Sequence, residues 1–260
     1  MKKEPRHDRQ RAARPSWLRR AVIFLAMLFA AAGPLRADNA QDRVFAGRDQ
    51  AAFVQAQTQY LADTNNPVLG WQFGRASYDW ADWATNRAER AAIAKGGIAA
   101  CRRSLLFTNC AAAHYYMGLN MGELAQSEAL HGLRLVREMQ HDWEAAIELD
   151  PNFDSAGPER SLGLLYRDAP GWPLSIGNRR KALEYLQDAA KLAPDDPENI
   201  LNLAESYLKW GDQPDARDEL AALDALWPKA RKSLAGQTWE QDWYDWSKRR
   251  DDVRQKLNHP

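Results

Sequence analysis

Few residues of this chain have the types and spacing that chemistry asks for. Cys101 and Cys110 are its only cysteines. In an exported protein such a pair reads first as a disulfide. At nine positions apart, it would staple one helix end across the turn "FTN" to the next helix start. Two buried free thiols are the alternative. No CxxC, HExxH or P-loop motif occurs, so no metal ion or other cofactor is expected. His114 sits alone in a slot usually given to a large residue, where a packed histidine is the simpler reading than a ligand. Trp239, Trp243 and Trp246 fall at +4 and +7, on one helical face. That stripe is either a cap on the preceding elements or a sugar-stacking or partner surface. Glu240, Asp242 and Asp245 lie on other faces and are expected in solvent.

A second group lies in "DAPGWPLSIGN", Asp168–Asn178. Pro170 and Pro173 fix φ there, while Gly171 and Gly177 permit turns. Such a segment is rigid by composition, and Trp172 sits in its middle. Two roles are open to Trp172: to fold back and cap the adjoining helices, or to form the wall of a binding site.

The elements that carry these residues repeat. Ala182, Leu186, Ala189 and Pro194 recur 34 residues later as Ala216, Leu220, Leu223 and Pro228. Before the second set stand Ile200, Leu203, Ala204 and Tyr207. This is the tetratricopeptide (TPR) pattern of paired helices. Small residues let the helices approach, and Pro194 and Pro228 are expected to end second helices. Earlier copies follow through Gly74 and Gly97, Gly118 and Met139, and Gly163 and Ala182. The fold class is therefore all-α: a right-handed TPR-like solenoid of about four hairpins in a single domain over 38–260. A leading helix occupies 38–66, the repeats 67–230 and a capping helix 231–260. The corner between the two helices of a hairpin is lengthened in the first three copies. Two of those insertions still read as helix; the third is the Trp172 segment. TPR grooves bind peptides through their first helices, so Tyr115, Asn120, Glu123, Asn199, Asn202 and Glu205 are candidate groove residues. An enzyme with carboxylates facing across about 5–10 Å is an alternative of another class, a helical carbohydrate-active hydrolase. No motif here demands it.

The first 37 residues read as a secretory signal. Eight Lys/Arg precede an unbroken apolar run, Ala21–Ala32, and "GPLRA" follows. The run is too short for a span of about 20 residues. No integral span is expected after cleavage near Ala37, while an uncleaved signal would act as an anchor. Arg19 and Arg20 sit in a context that fits a twin-arginine signal poorly. Residues 38–260 carry 26 basic and 33 acidic side chains, a net of −7. That argues against a nucleic-acid partner, which needs a basic face. The expected location is the periplasm or the exterior, and no cysteine near the cut provides a lipobox.

Asp150–Asp212 resembles the TPR-containing T component associated with TRAP transporters. The resemblance rests on Gly157, Pro158, Arg160, Leu162, Gly163, Leu165 and Tyr166, then Pro170, Gly171, Pro173, Ser175, Gly177, Lys181 and Ala182. It implies a periplasmic, non-enzymatic protein whose partner is a protein or peptide, specifically an extracytoplasmic solute-binding protein. It adds Arg160, Tyr166 and Ser175 to the candidate binding residues, beside Trp172 of the loop. Members of that family are often lipoproteins, and this chain departs from them in lacking the lipid-bearing cysteine.

Overall fold

Asparagine and aspartate set where several helices begin. In the computed structural model, which describes residues 40–127 and 132–258, Asn66 accepts from the Val68 and Leu69 amides. Asn86 accepts from Glu89 N, Asn178 from Lys181 N and Asp196 from Glu198 N. Each satisfies amides that the first turn leaves without partners. Proline follows in the first turn at Pro67, Pro158 and Pro197, where its missing donor is harmless. The resulting helices are α1 (Ala40–Ala62), α2 (Pro67–Ala81), α3 (Arg87–Leu105), α4 (Ala111–Ser127) and α5 (Gly132–Leu149). They continue as α6 (Gly157–Asp168), α7 (Arg179–Leu192), α8 (Pro197–Lys209), α9 (Gln213–Ser233) and α10 (Glu240–Asn258). No strand occurs among the described residues, and the expected signal at 1–37 lies outside them.

The pairs α2–α3, α4–α5, α6–α7 and α8–α9 pack as four successive hairpins after a leading helix, an all-α solenoid. The small first-helix positions are the contact points. A methyl added at Gly118 would lie 2.5 Å from the Trp143 indole nitrogen, and one at Gly163 would lie 2.7 Å from Leu186 Cγ. Gly118→Val is therefore expected to lower stability by about 1–3 kcal/mol through overpacking. A urea titration with unchanged slope and a lowered midpoint would record it, and an unchanged midpoint would refute the close approach.

The first two lengthened corners are absorbed by long helices, with α3 running 19 residues and α5 18. Residues 128–131, between α4 and α5, lie outside the described residues. The third corner is an irregular loop from Ala169 to Asn178, where the α8–α9 corner needs only Trp210–Asp212.

Two apolar clusters meet at α6. One gathers Tyr115, Tyr116, Met139 and Trp143 with Leu162 and Leu165 of α6. The other gathers Leu201, Leu220, Trp243 and Trp246 with Leu164 of α6. Every residue of α6 is buried, its charged ones included, so this helix is the axis of the molecule.

Two expectations at the C-terminus are corrected. Pro228 does not end its helix, because α9 continues to Ser233. Trp227 packs edge-on against Trp243 at 5.0 Å and Ala230 is buried, so packing on both sides of Pro228 offsets its lost donor. The tryptophan stripe, Trp239 in the turn before α10 with Trp243 and Trp246 on it, is buried as a cap. Asp242 and Asp245, expected in solvent, are buried too. The reason is that α10 touches more than the last repeat. It packs on α8 and α9 and also reaches α1, with Phe45 against Tyr244 at 5.8 Å and Arg48 on Glu240 at 2.8 Å.

The cysteine staple is also corrected: Cys101 and Cys110 are free thiols. Cys101 points from α3 at α2, where its sulfur lies 2.1 Å from a methyl built on Gly74. Its side chain is committed to helix packing, and burial, with a smaller contribution from Cys110, pushes its thiol far above the usual range.

Candidate functional site

The first helices form an inner row held by polar contacts between neighbours. Asn120 of α4 donates to Gly74 O of α2 at 2.7 Å and to Tyr116 O at 2.8 Å. Tyr115 packs on Tyr116 and Phe153 at 5.1 and 5.6 Å between ring centres. Arg160 of α6, with no exposed surface, donates to Asn199 of α8 at 2.8 Å and to Ser155 O at 3.3 Å. Its other terminal nitrogen lies 3.6 Å from Glu198 and 3.8 Å from Asp154. Asn199 donates in turn to the Ser155, Ala189 and Ala193 carbonyls. These contacts hold a turn in which Asp154, Ser155 and Ala156 all adopt positive φ, near 50°, 54° and 61°. That conformation is costly for residues with a Cβ, and Arg160 and Asn199 fix it by gripping the Ser155 carbonyl.

Helix α10 lies over this row. Arg249 forms a fork with Glu205, its Nε and a terminal nitrogen at 2.8 and 2.6 Å, and donates to Asn202 Oδ1 at 2.7 Å. Glu198 and Asp245 stand 3.6 and 3.5 Å from its remaining nitrogen. Burial opposes the charge of Arg249, but the carboxylates around it, Glu205 foremost, outweigh burial and raise its pKa beyond the ordinary range.

The candidate groove residues are thus placed differently from expectation. Asn199, Asn202 and Glu205 do share one row, and α10 of the same chain covers it. Tyr115, Asn120 and Tyr166 are interior and line no open groove. Their polar groups serve neighbouring helices, and Tyr166 stacks on Tyr185 at 5.6 Å with the Lys181 ammonium 4.9 Å above its ring. Glu123 is buried, with Arg90 Nε at 3.6 Å from its carboxylate. His114 is a packed histidine, its ring nitrogens 2.8 Å from Asp142 and 2.9 Å from Asn109. Arg249 escaped the sequence reading, although continuing the stripe three residues past Trp246 reaches it.

Asp49 of α1 completes the α1–α10 junction. It accepts from Trp83 Nε1 at 2.6 Å and from Gln241 of α10 at 3.3 Å. Burial pushes its carboxyl up to about 6 in spite of those two donors. A folded-state pKa above the unfolded one means that folding takes up a proton. This contribution is fully present below about pH 4 and is lost as pH rises through about 6. Asp49→Asn should flatten that fall in denaturation curves taken from pH 4 to 7, and an unaltered slope would contradict the assignment.

The loop Ala169–Asn178 is the other site. Its root is closed by Gly177 N donating to Pro170 O at 2.8 Å and Asn178 N donating to Tyr166 O at 2.8 Å. A methyl on Gly177 would fall 2.0 Å from Ala169 O, so this neck admits only glycine. Ile176 packs into the core, and Leu174 N and Ser175 N donate to Gly171 O. Ser175 is half-buried. Trp172 does not cap the hairpin: it is 89% exposed, and Leu174 is 70% exposed. With Ile176 plugging the core and the neck closed by backbone bonds, the loop tip is turned outward.

No protein-family model matches the chain. No curated protein matches it. Among solved structures, the crystal structure of MamA is similar, with a TM-score of 0.50 and 16% identity over 76% of this chain and 99% of MamA. MamA is a TPR-like protein. Identity this low shows the fold alone, a TPR-like all-α solenoid.

Proposed function

We propose that this scaffold is an exported, non-enzymatic interaction module that docks the solute-binding protein of a TRAP-type uptake system through the Ala169–Asn178 loop. The observation that carries this reading is the outward tip of the loop, where Trp172 and Leu174 stand exposed on a closed neck. Tryptophan is the residue type most enriched at interface hot spots, and a preordered loop loses little entropy on binding. The loop also holds much of the block through which the sequence resembles the T component. The leader at 1–37 supports the periplasmic location.

Direct peptide capture in the inner row is the second reading, and α10 weighs against it. Glu198, Glu205 and Asp245, carboxylates at the inner row, are all engaged by Arg249. The test is affinity purification from the native envelope. A solute-binding protein should co-purify in stoichiometric amount. If unrelated proteins or peptides come down reproducibly in its place, the transporter link is wrong.

A further inference from the structure

Between α2, α4, α5 and α6 lies a cavity of about 60 Å³. Its walls are mostly apolar, formed by Leu119, Met139, Trp143, Leu164 and Leu165. Tyr78, Glu123 and Ser161 also line it. The Tyr78 and Ser161 hydroxyls are fully enclosed and have no hydrogen-bond partner in the protein. Buried hydroxyls left this way are costly, and two facing one cavity beside a buried carboxylate make a polar end in an apolar chamber. Small-molecule sites have this composition.

We propose that this cavity binds a primary ammonium on a short alkyl chain, its three N–H groups shared among the Glu123 carboxylate and the Tyr78 and Ser161 hydroxyl oxygens. An ammonium carries three donors and no acceptor, which matches three oxygens able to accept. Charge points the same way. Burial, then the charges of Glu123 and Asp82, push the Tyr78 phenol well above its usual range, so the potential at that hydroxyl is negative. Arg90 Nε stands 3.6 Å from the Glu123 carboxylate, whose two oxygens can accept from more than one donor. Size limits the rest: a cavity of about 150 Å³ accommodates benzene, so this one takes only a few carbons.

The test uses the full chain labelled with ¹³C-methyl methionine. Met139 lines the cavity and Met117 and Met121 do not; Met139→Leu assigns the signal. The probes are propylamine, 1-propanol and propionate at pH 7 and constant ionic strength. Propylamine should shift the Met139 methyl saturably and leave those of Met117 and Met121 in place, with a millimolar constant suited to so small a molecule. Ser161→Ala and Tyr78→Phe should each weaken that binding by about tenfold, and the Ser161 variant removes too little to disturb folding. The proposal is overturned if propylamine leaves Met139 unmoved. It is equally overturned if 1-propanol binds as well as propylamine, which would make the site a chamber for neutral molecules, or if Ser161→Ala binds unchanged.

Discussion

Arg249→Ala is expected to lower the folding free energy by about 3–5 kcal/mol, the scale of removing one partner from a buried ion cluster. The side chain is buried against Glu205, Asn202, Glu198 and Asp245. Its loss removes the cation that Glu205, Glu198 and Asp245 share, although Glu198 keeps Arg160 at 3.6 Å. The total stability of a domain is about 5–15 kcal/mol, so the variant should be partly unfolded or melt far earlier. Arg249→Lys should recover only part of the loss, because an ammonium cannot reproduce the two-pronged contact with Glu205. Urea denaturation of both variants decides it. A loss under about 1 kcal/mol for the alanine variant would mean that α10 is held by its tryptophans alone and that the inner row is open to exchange.

The second large effect is on binding. Trp172→Ala combined with Leu174→Ala should weaken capture of the solute-binding protein by about 30-fold or more, the 2 kcal/mol or greater typical of a hot spot. Stability should stay within about 0.5 kcal/mol of the parent chain, because rings this exposed contribute little inside the fold. The two readouts separate the roles open to Trp172 in the sequence: a cap would reverse them, with melting lowered and binding kept.

How much was legible follows from where each contact comes from. The hairpins from Gly163 onward were readable because their determinants are local: small residues at repeat spacing, prolines in first turns and asparagine caps. Gly118 and Gly163 could be recognised as contact points from their place in the repeat alone. The burial of Asn199 and Asn202 could not, since the residue that covers Asn202 is Arg249, 47 positions away. The same gap hid the second packing face of α10, and with it the burial of Asp242 and Asp245. Trp172 stayed undecided for another reason. Burial of apolar side chains is a one-way rule, and nothing local distinguishes a ring folded onto its hairpin from one held outward by a neck such as Gly177. Cys101 and Cys110 have suitable spacing for a staple, and only the approach of α2 at Gly74 shows that Cys101 is already engaged.

The most direct test of the interaction reading is a photo-activated crosslinking side chain placed at position 172 of the exported chain in its native envelope. The account predicts a single major adduct whose partner is a solute-binding protein, absent when the crosslinker replaces an exposed residue remote from the loop, such as Leu61 on α1. An adduct to no protein at position 172, or the same partners captured from both positions, would contradict it.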